Sequence, residues 1–134
     1  GTGAVSTNSG NISSTSGNLV VTAGTSTLGG KVTMSAGQKV AVSATKTANY
    51  TVVLATDYIV RVDSSGGIFT ITLPAGHAAG DTVTIKDVSC SAGTNNVTSD
   101  PNAAELIDGL STFVMTVNYQ AVSAVSDGTN WFIV

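Results

Sequence analysis

Short segments in which apolar and polar residues alternate constrain the fold of this chain more than any other feature of its sequence. Phe69, Ile71 and Leu73 alternate with Thr70 and Thr72. Because successive side chains of a β-strand point to opposite faces of its sheet, this spacing predicts a strand with one buried face. Three further segments share the pattern, and their predicted core faces are Tyr58, Val60 and Val62; Val83 and Ile85; and Phe113, Met115, Val117 and Tyr119.

Turn signals separate the alternating segments, and the composition agrees with strands. Threonine (20) and valine (18) are the commonest residues, and both are β-branched, which favours extended backbone. Turns are predicted at Ser64-Ser65-Gly66-Gly67, Pro74-Ala75-Gly76, Ala92-Gly93-Thr94-Asn95-Asn96, Asp108-Gly109 and Asp127-Gly128-Thr129-Asn130. The sequence therefore predicts an all-β, sandwich-like or barrel-like domain. One helix candidate, of one or two turns, follows Asp100-Pro101 and ends before Gly109.

Charge divides the chain near residue 50. Residues 1–49 carry three lysines and no acid, whereas residues 50–134 carry all eight acids against two cations. In the first region glycines recur 7, 7, 6 and 7 residues apart, at Gly10, Gly17, Gly24, Gly30 and Gly37. A short repeat that cannot bury its apolar face alone must stack on neighbours or on other chains. We therefore predict a fibrous β shaft over 1–49, with a flexible linker as the alternative, and a globular β head over 50–134.

Composition also excludes several classes of partner. The net charge of −3 and five scattered cations disfavour nucleic acid, which requires a clustered basic face. No apolar run approaches the ~20 residues that a membrane helix needs, so membrane insertion is not expected. The single cysteine, Cys90, forms no intrachain disulfide, and we expect it to act as a small hydrophobic residue.

The sequence contains few patterns that are typical of a catalytic site. His77 is the only histidine, and no Gly-x-Ser-x-Gly surrounds any serine, which disfavours a hydrolase triad. His77 lies in a turn-rich loop, where it is a general base, a ligand contact or an exposed histidine without a special role. Four of the eight acids, Asp81, Asp100, Asp108 and Asp127, adjoin glycine or proline, as turn-forming carboxylates do, and we expect most acids to form turns rather than to pair as in a glycosidase. No cofactor is implied, and no cluster resembles a zinc or calcium site. Trp131 is expected to anchor the core rather than stack on a sugar.

An ordered series of motifs in the second region resembles the C-terminal region of bacteriophage tail fibres and related virion fibre proteins. The series is Thr70-Ile71-Thr72-Leu73-Pro74, Gly80-Asp81-Thr82-Val83-Thr84-Ile85-Lys86-Asp87, Gly93-Thr94-Asn95-Asn96-Val97-Thr98, Ile107-Asp108-Gly109 and Ser126-Asp127-Gly128-Thr129-Asn130-Trp131. The resemblance implies a non-enzymatic, intertwined homotrimer on the surface of a virus particle, with a slender shaft leading to a head that contacts the host.

Two functions follow from this resemblance. In the first, head loops bind a polysaccharide or protein of the bacterial surface, and several copies raise the avidity. The candidate contact residues in those loops are His77, Asn95, Asn96 and Asn130. In the second, the chain is a capsid-attached head fibre or decoration protein that binds other virion proteins, and residues 1–49 form its functional surface.

Overall fold

The computed structural model describes Val32 and residues 36–134. The chain divides into two units, Gly1–Gly37 and Gln38–Val134. Residues 1–31 and 33–35 lie outside the described part, and most of the predicted shaft lies there with them. All that follows concerns the unit Gln38–Val134, which also includes residues 38–49.

The described residues form eight β-strands and no helix, which confirms the all-β class. Most strands coincide with β-branched or alternating sequence, as expected from their propensity for pleated, half-buried backbone. The strands are β1 (Tyr50–Thr51), β2 (Ile59–Val62), β3 (Phe69–Thr72), β4 (Thr82–Asp87), β5 (Val97–Asp100), β6 (Phe113–Met115), β7 (Ala121–Ser126) and β8 (Trp131–Ile133).

The strands form two four-stranded mixed sheets between which the chain alternates. One sheet has the order β1-β3-β5-β6, and the other has the order β2-β4-β7-β8. From β1 to β5 each strand lies in the opposite sheet from the one before it, so neighbours within a sheet are parallel. The antiparallel strands β6, β7 and β8 complete the two sheets. This connectivity resembles short coils stacked on one another rather than a series of hairpins.

The inward faces of both sheets share one hydrophobic core. Ile71 and Val60 from opposite sheets are fully buried in it, and their burial supplies the main stabilising free energy. The predicted faces of β3 and β4 are confirmed, as is the role of Trp131 as a core anchor. Three predicted core residues are exposed instead: Tyr58 precedes β2, and Val117 and Tyr119 follow β6.

The predicted short helix is wrong. Residues 101–108 form turns, and Ala103 and Asp108 have φ angles of 55° and 50°. These values lie in the left-handed region and interrupt any right-handed helix. The segment instead borders β8, where Trp131 N–H donates to Leu106 O at 2.8 Å and Asp108 N–H donates to Trp131 O at 3.0 Å. It therefore covers an edge that would otherwise expose unpaired backbone groups.

Because consecutive strands run in opposite directions, their connections gather at two ends of the unit. We call one the tyrosine end; it comprises residues 47–49, 63–68, 88–96 and 116–120. We call the other the histidine end; it comprises residues 52–58, 73–81, 101–112 and 127–130. The chain enters the unit at the histidine end, where Ile59 N–H donates to Ala41 O at 3.0 Å.

Candidate functional site

Charge differs between the two ends: the histidine end is strongly acidic, whereas at the tyrosine end Asp63 and the adjoining Asp87 lie near three cations. Five of the eight acids belong to the histidine end, namely Asp57, Asp81, Glu105, Asp108 and Asp127, and Asp100 adjoins it as the last residue of β5. Lys39 lies two residues before Ala41, whose carbonyl accepts the Ile59 N–H at this end. The strand residues that adjoin the tyrosine end include the cations Arg61 and Lys86, and Lys46 is paired with Val62 beside them. The tyrosine end therefore suits an anionic surface better than the histidine end does.

A buried carboxylate organises the tyrosine end. Asp87 is fully buried at the last position of β4. Its two oxygens accept five hydrogen bonds, from Ser89 N–H at 2.9 Å, Ser89 Oγ at 3.0 Å, Ser91 N–H and Ala92 N–H at 3.2 Å each, and Tyr119 N–H at 2.9 Å. One side chain thus joins two loops that are distant in sequence.

The hydrogen bonds determine the charge state of Asp87. Burial alone raises the pKa of this carboxyl, because the low dielectric disfavours the ion. The N–H donors of Ser89, Tyr119 and Ala92, with the Ser89 hydroxyl, outweigh burial and hold the pKa below its usual value of 3.8. Asp87 is consequently an ionised acceptor for the N–H groups of its own loops.

Tyr119 is the aromatic residue that this arrangement presents. Its backbone N–H is bound inside to Asp87, its φ is 60°, and its side chain is 57% exposed. A bulky residue in the left-handed region is strained by about 1–3 kcal/mol. Lys86 Nζ donates to Tyr119 O and lies 5.7 Å from its ring centroid. Hydrogen bonds therefore hold the Tyr119 backbone in an unfavourable conformation while the ring projects outward.

Further hydrogen bonds join the loops of the tyrosine end. Gly93 N–H donates to Asn118 Oδ1 at 2.8 Å, and a Cβ at position 93 would lie 2.8 Å from that oxygen. Only glycine permits this approach. Asn95 Nδ2 donates to Ser64 O at 2.8 Å. The tyrosine end is therefore a preformed surface, which lowers the entropy lost on binding.

The histidine end holds a buried polar chain. His77 Nδ1 is hydrogen-bonded to Ser126 Oγ, and its Nε2 lies 3.2 Å from Glu105 Oε2. Gly128 N–H donates to Ser126 Oγ at 2.7 Å, so the hydroxyl hydrogen is free to point at Nδ1. Trp131 packs on the imidazole at 4.6 Å between centroids and donates its indole N–H to Glu105 at 3.3 Å. His77 is thus buried, not exposed as one interpretation of its loop held.

Ser126, His77 and Glu105 are the residue types of a hydrolase triad, but here they form a network that holds loops together. Ser126 is only 4% exposed, and its oxygen already accepts the Gly128 N–H. Nucleophilic attack requires a substrate carbonyl near the hydroxyl and separate donors for the developing oxyanion. With the core around it, the network ties residues 73–81, 101–112 and the β7–β8 turn together. Its chemistry is that of a satisfied buried cluster.

The four residues predicted as contacts do not form one site. Asn95 and Asn96 lie at the tyrosine end, whereas His77 and Asn130 lie at the histidine end. Asn96 Nδ2 donates to Ala92 O at 2.8 Å, and Asn130 Oδ1 accepts Leu106 N–H at 2.9 Å. These side chains brace loops. The predicted turn role of the acids is confirmed at Asp81, which accepts Ala78 N–H, and at Asp127, which accepts two N–H groups of its turn.

Sequence reasoning missed Asp87, Asn118 and Tyr119. It also treated Cys90 as a small hydrophobic residue, but Cys90 is exposed beside Tyr119, and a hydrogen bond with the Cys90 side chain raises the pKa of Tyr119. No group of three or more His, Cys, Asp or Glu side chains in the described part is arranged to hold a metal ion. The same part contains no helix able to cross a membrane.

A scan against protein-family models finds no match, and a search of curated proteins finds none. Inference about function therefore depends on the geometry of the two ends and on the resemblance of the sequence motifs.

Replacing Asp87 with asparagine should destabilise the unit in a pH-dependent way. Asp87→Asn replaces one carboxylate oxygen with an NH₂ group, which faces N–H donors and cannot accept their hydrogen bonds. We therefore expect the free energy of unfolding to fall by about 2–4 kcal/mol near neutral pH. Because folding lowers the pKa of Asp87, the ionised carboxylate contributes its full stabilisation to the folded unit above pH 3.8. That contribution is lost progressively as the pH falls below this value. Urea unfolding of both proteins across this range should give converging free energies at low pH.

The matched control is Asp100→Asn. Asp100 is half-buried at the end of β5 and outside the Asp87 cluster. We expect this substitution to cost less than about 0.5 kcal/mol. A difference between wild type and Asp87→Asn that stays constant from pH 7 to strongly acidic pH would contradict the assigned role of Asp87.

Removing the Ser126 hydroxyl should destabilise the histidine end. Ser126→Ala leaves the Gly128 N–H and His77 Nδ1 without their partner, which costs about 1–3 kcal/mol in thermal or urea unfolding. Ser111→Ala, at an exposed serine, is the control and should be neutral. Equal stability of the two variants would show that the buried chain contributes nothing.

Proposed function

We propose that this chain is a non-enzymatic structural module of a virion fibre, and that its tyrosine end contacts the bacterial host surface. The proposal is supported by the motif series over residues 70–131, which resembles virion fibre heads. The observation that carries the contact surface is Tyr119, an exposed ring on a backbone held by Asp87. Strained residues concentrate at functional sites, where the surrounding structure imposes them.

Two further features favour the tyrosine end over the histidine end. It lies opposite the point where the chain enters the unit. The strand cations Arg61 and Lys86 adjoin it, and they suit an envelope rich in phosphate and carboxylate groups. Val117 and Ile68 are 61% and 76% exposed there, but large apolar side chains are exposed at the histidine end too, so this feature does not distinguish the two ends.

The module assembles as a homotrimer, as the resemblance implies. Apolar side chains are exposed on the last strand of each sheet, Val114 on β6 and Phe132 on β8, with Leu110 near them in sequence. Association would remove this surface from water, which favours it. Three copies would also raise the avidity of a weak contact.

The assembly is tested by the mass of the chain in solution. One chain has a mass of 13.3 kDa, and sedimentation equilibrium is expected to give three times that value across a range of concentrations. A concentration-independent monomer would contradict the trimer while leaving the contact surface open to the next test.

Contact with the host is tested by removing the ring of Tyr119. Tyr119→Asn keeps a residue that tolerates a positive φ, so the backbone bond to Asp87 should remain. We expect binding of fluorescently labelled protein to intact bacteria, screened over a panel of strains, to weaken at least tenfold. Tyr58→Asn, at the exposed tyrosine of the histidine end, is the control and should bind like wild type.

Two outcomes would overturn the proposal. Equal binding by the Tyr119 and Tyr58 variants would remove the tyrosine end from the contact. Binding to emptied capsids but to none of the bacteria would favour the capsid-attached decoration protein, whose functional surface is predicted in residues 1–49.

A further inference from the structure

We infer that a cleft at the tyrosine end is a subsite for one uncharged sugar unit of the host-surface glycan. The cleft has a volume of about 400 Å³ and is lined by Thr47, Ala48, Asn49, Gly66, Gly67, Ile68 and Phe69. It lies between the segment before β1 and the turn before β3. This inference rests on the proposed function and names the class of ligand that it would bind.

The size and position of the cleft suit a small ligand. Its volume lies within the range of about 300–1,000 Å³ of small-molecule sites. A second cleft, at the histidine end, is smaller, at about 250 Å³, and is lined by Asp57 and Asp81 beside the chain entry. The cleft at the tyrosine end is bounded by the turn whose Ser64 carbonyl accepts a hydrogen bond from Asn95. It is therefore part of the braced surface that carries Tyr119.

The lining groups are those that recognise a neutral polyhydroxylated ring. Ile68 presents an exposed apolar side chain, against which the C–H face of a pyranose can pack. Asn49 Oδ1 accepts Thr70 N–H at 2.9 Å, which fixes the amide and leaves its NH₂ group to donate to a hydroxyl. The exposed Thr47 hydroxyl both donates and accepts. A few oriented polar groups beside apolar surface are typical of such sites.

The charge of the lining selects against ionic ligands. None of the lining residues is acidic or basic. The nearest cation in sequence, Lys46, lies with its Nζ 3.7 Å from the Tyr50 ring centroid. A phosphate or carboxylate in the cleft would lose hydration without gaining a charged partner. The cleft therefore takes a neutral hexose or N-acetylhexosamine, while Arg61 and Lys86 remain for anionic groups elsewhere on the glycan.

Protein NMR with single sugars tests the subsite. Methyl glycosides of glucose, galactose and N-acetylglucosamine are the neutral probes; N-acetylneuraminic acid and galactose 6-phosphate are the anionic ones. We expect at least one neutral probe to bind with a Kd of about 1 mM and to shift amides of residues 47–49 and 66–69, with anionic probes at least tenfold weaker. Absence of any shift in these residues, or equal binding of anionic probes, would overturn the inference.

Position 66 provides a matched pair of variants. Gly66 has no atom within 4 Å of an added Cβ and does not need a positive φ, so substitution there should not strain the turn. Gly66→Phe fills the cleft and should weaken sugar binding at least tenfold, whereas Gly66→Ala should change it less than twofold. Equal sugar binding by the two variants would refute the subsite. If Gly66→Phe still binds intact bacteria like wild type and Tyr119→Asn does not, the subsite fails and the proposed function stands.

Discussion

The ionised carboxylate of Asp87 is the interaction on which the tyrosine end depends. It is placed at the end of β4 by the same alternation that buries Val83 and Ile85. There it satisfies N–H groups of two loops that the sheets alone leave unpaired. A buried charge is costly unless it is fully hydrogen-bonded, and the loops cannot close without an acceptor. The buried carboxylate needs the loop N–H groups as donors, and those N–H groups need the carboxylate as their acceptor. The ionised side chain and the loop conformations therefore form together.

Both ends contain networks of hydrogen-bonded polar side chains, but the two networks have different structural effects. At the histidine end, the acid Glu105 is bound to His77 and Trp131, and the polar groups face inward. At the tyrosine end, the polar groups also face inward, but their effect is to direct an aromatic ring outward at Tyr119. The first arrangement closes a core and the second presents a surface. This contrast distinguishes a polar network that closes a core from one that holds an exposed aromatic ring.

Much of the fold could be predicted from the sequence, because period-two alternation reports burial directly. Ile71 and Ile85 were identified as core residues in this way. The alternation also continues past the end of β6 into Val117 and Tyr119, which were therefore predicted to be core residues. That prediction was wrong, because pairing with β5 ends at Met115. The burial of His77 depends on partners far away in sequence, which no local pattern reveals. The alternation of strands between the sheets was likewise hidden, because each local segment is compatible with a hairpin.

The failures of sequence reasoning coincide with the candidate site. Local rules expect a bulky residue to avoid positive φ and an apolar pattern to be buried, and Tyr119 departs from both. Such conflicts are expected where function, rather than stability, selects the residue. The candidates chosen from turn composition all bond loop backbone: Asn95 and Asn130 bond a neighbouring loop, and Asn96 bonds its own. Turn-forming residues and contact residues share a composition, and only the hydrogen bonds distinguish them.

The most direct test of the central claim, that the tyrosine end is the preformed host-contact surface, is amide hydrogen exchange with and without purified envelope polysaccharide of a bound strain. The account predicts slow exchange at the Tyr119 amide in the free protein, because that N–H is held by Asp87. On binding, it predicts added protection in residues 47–49, 63–69 and 116–120, with none in 101–112. Added protection confined to the histidine end, or absent throughout, would contradict it.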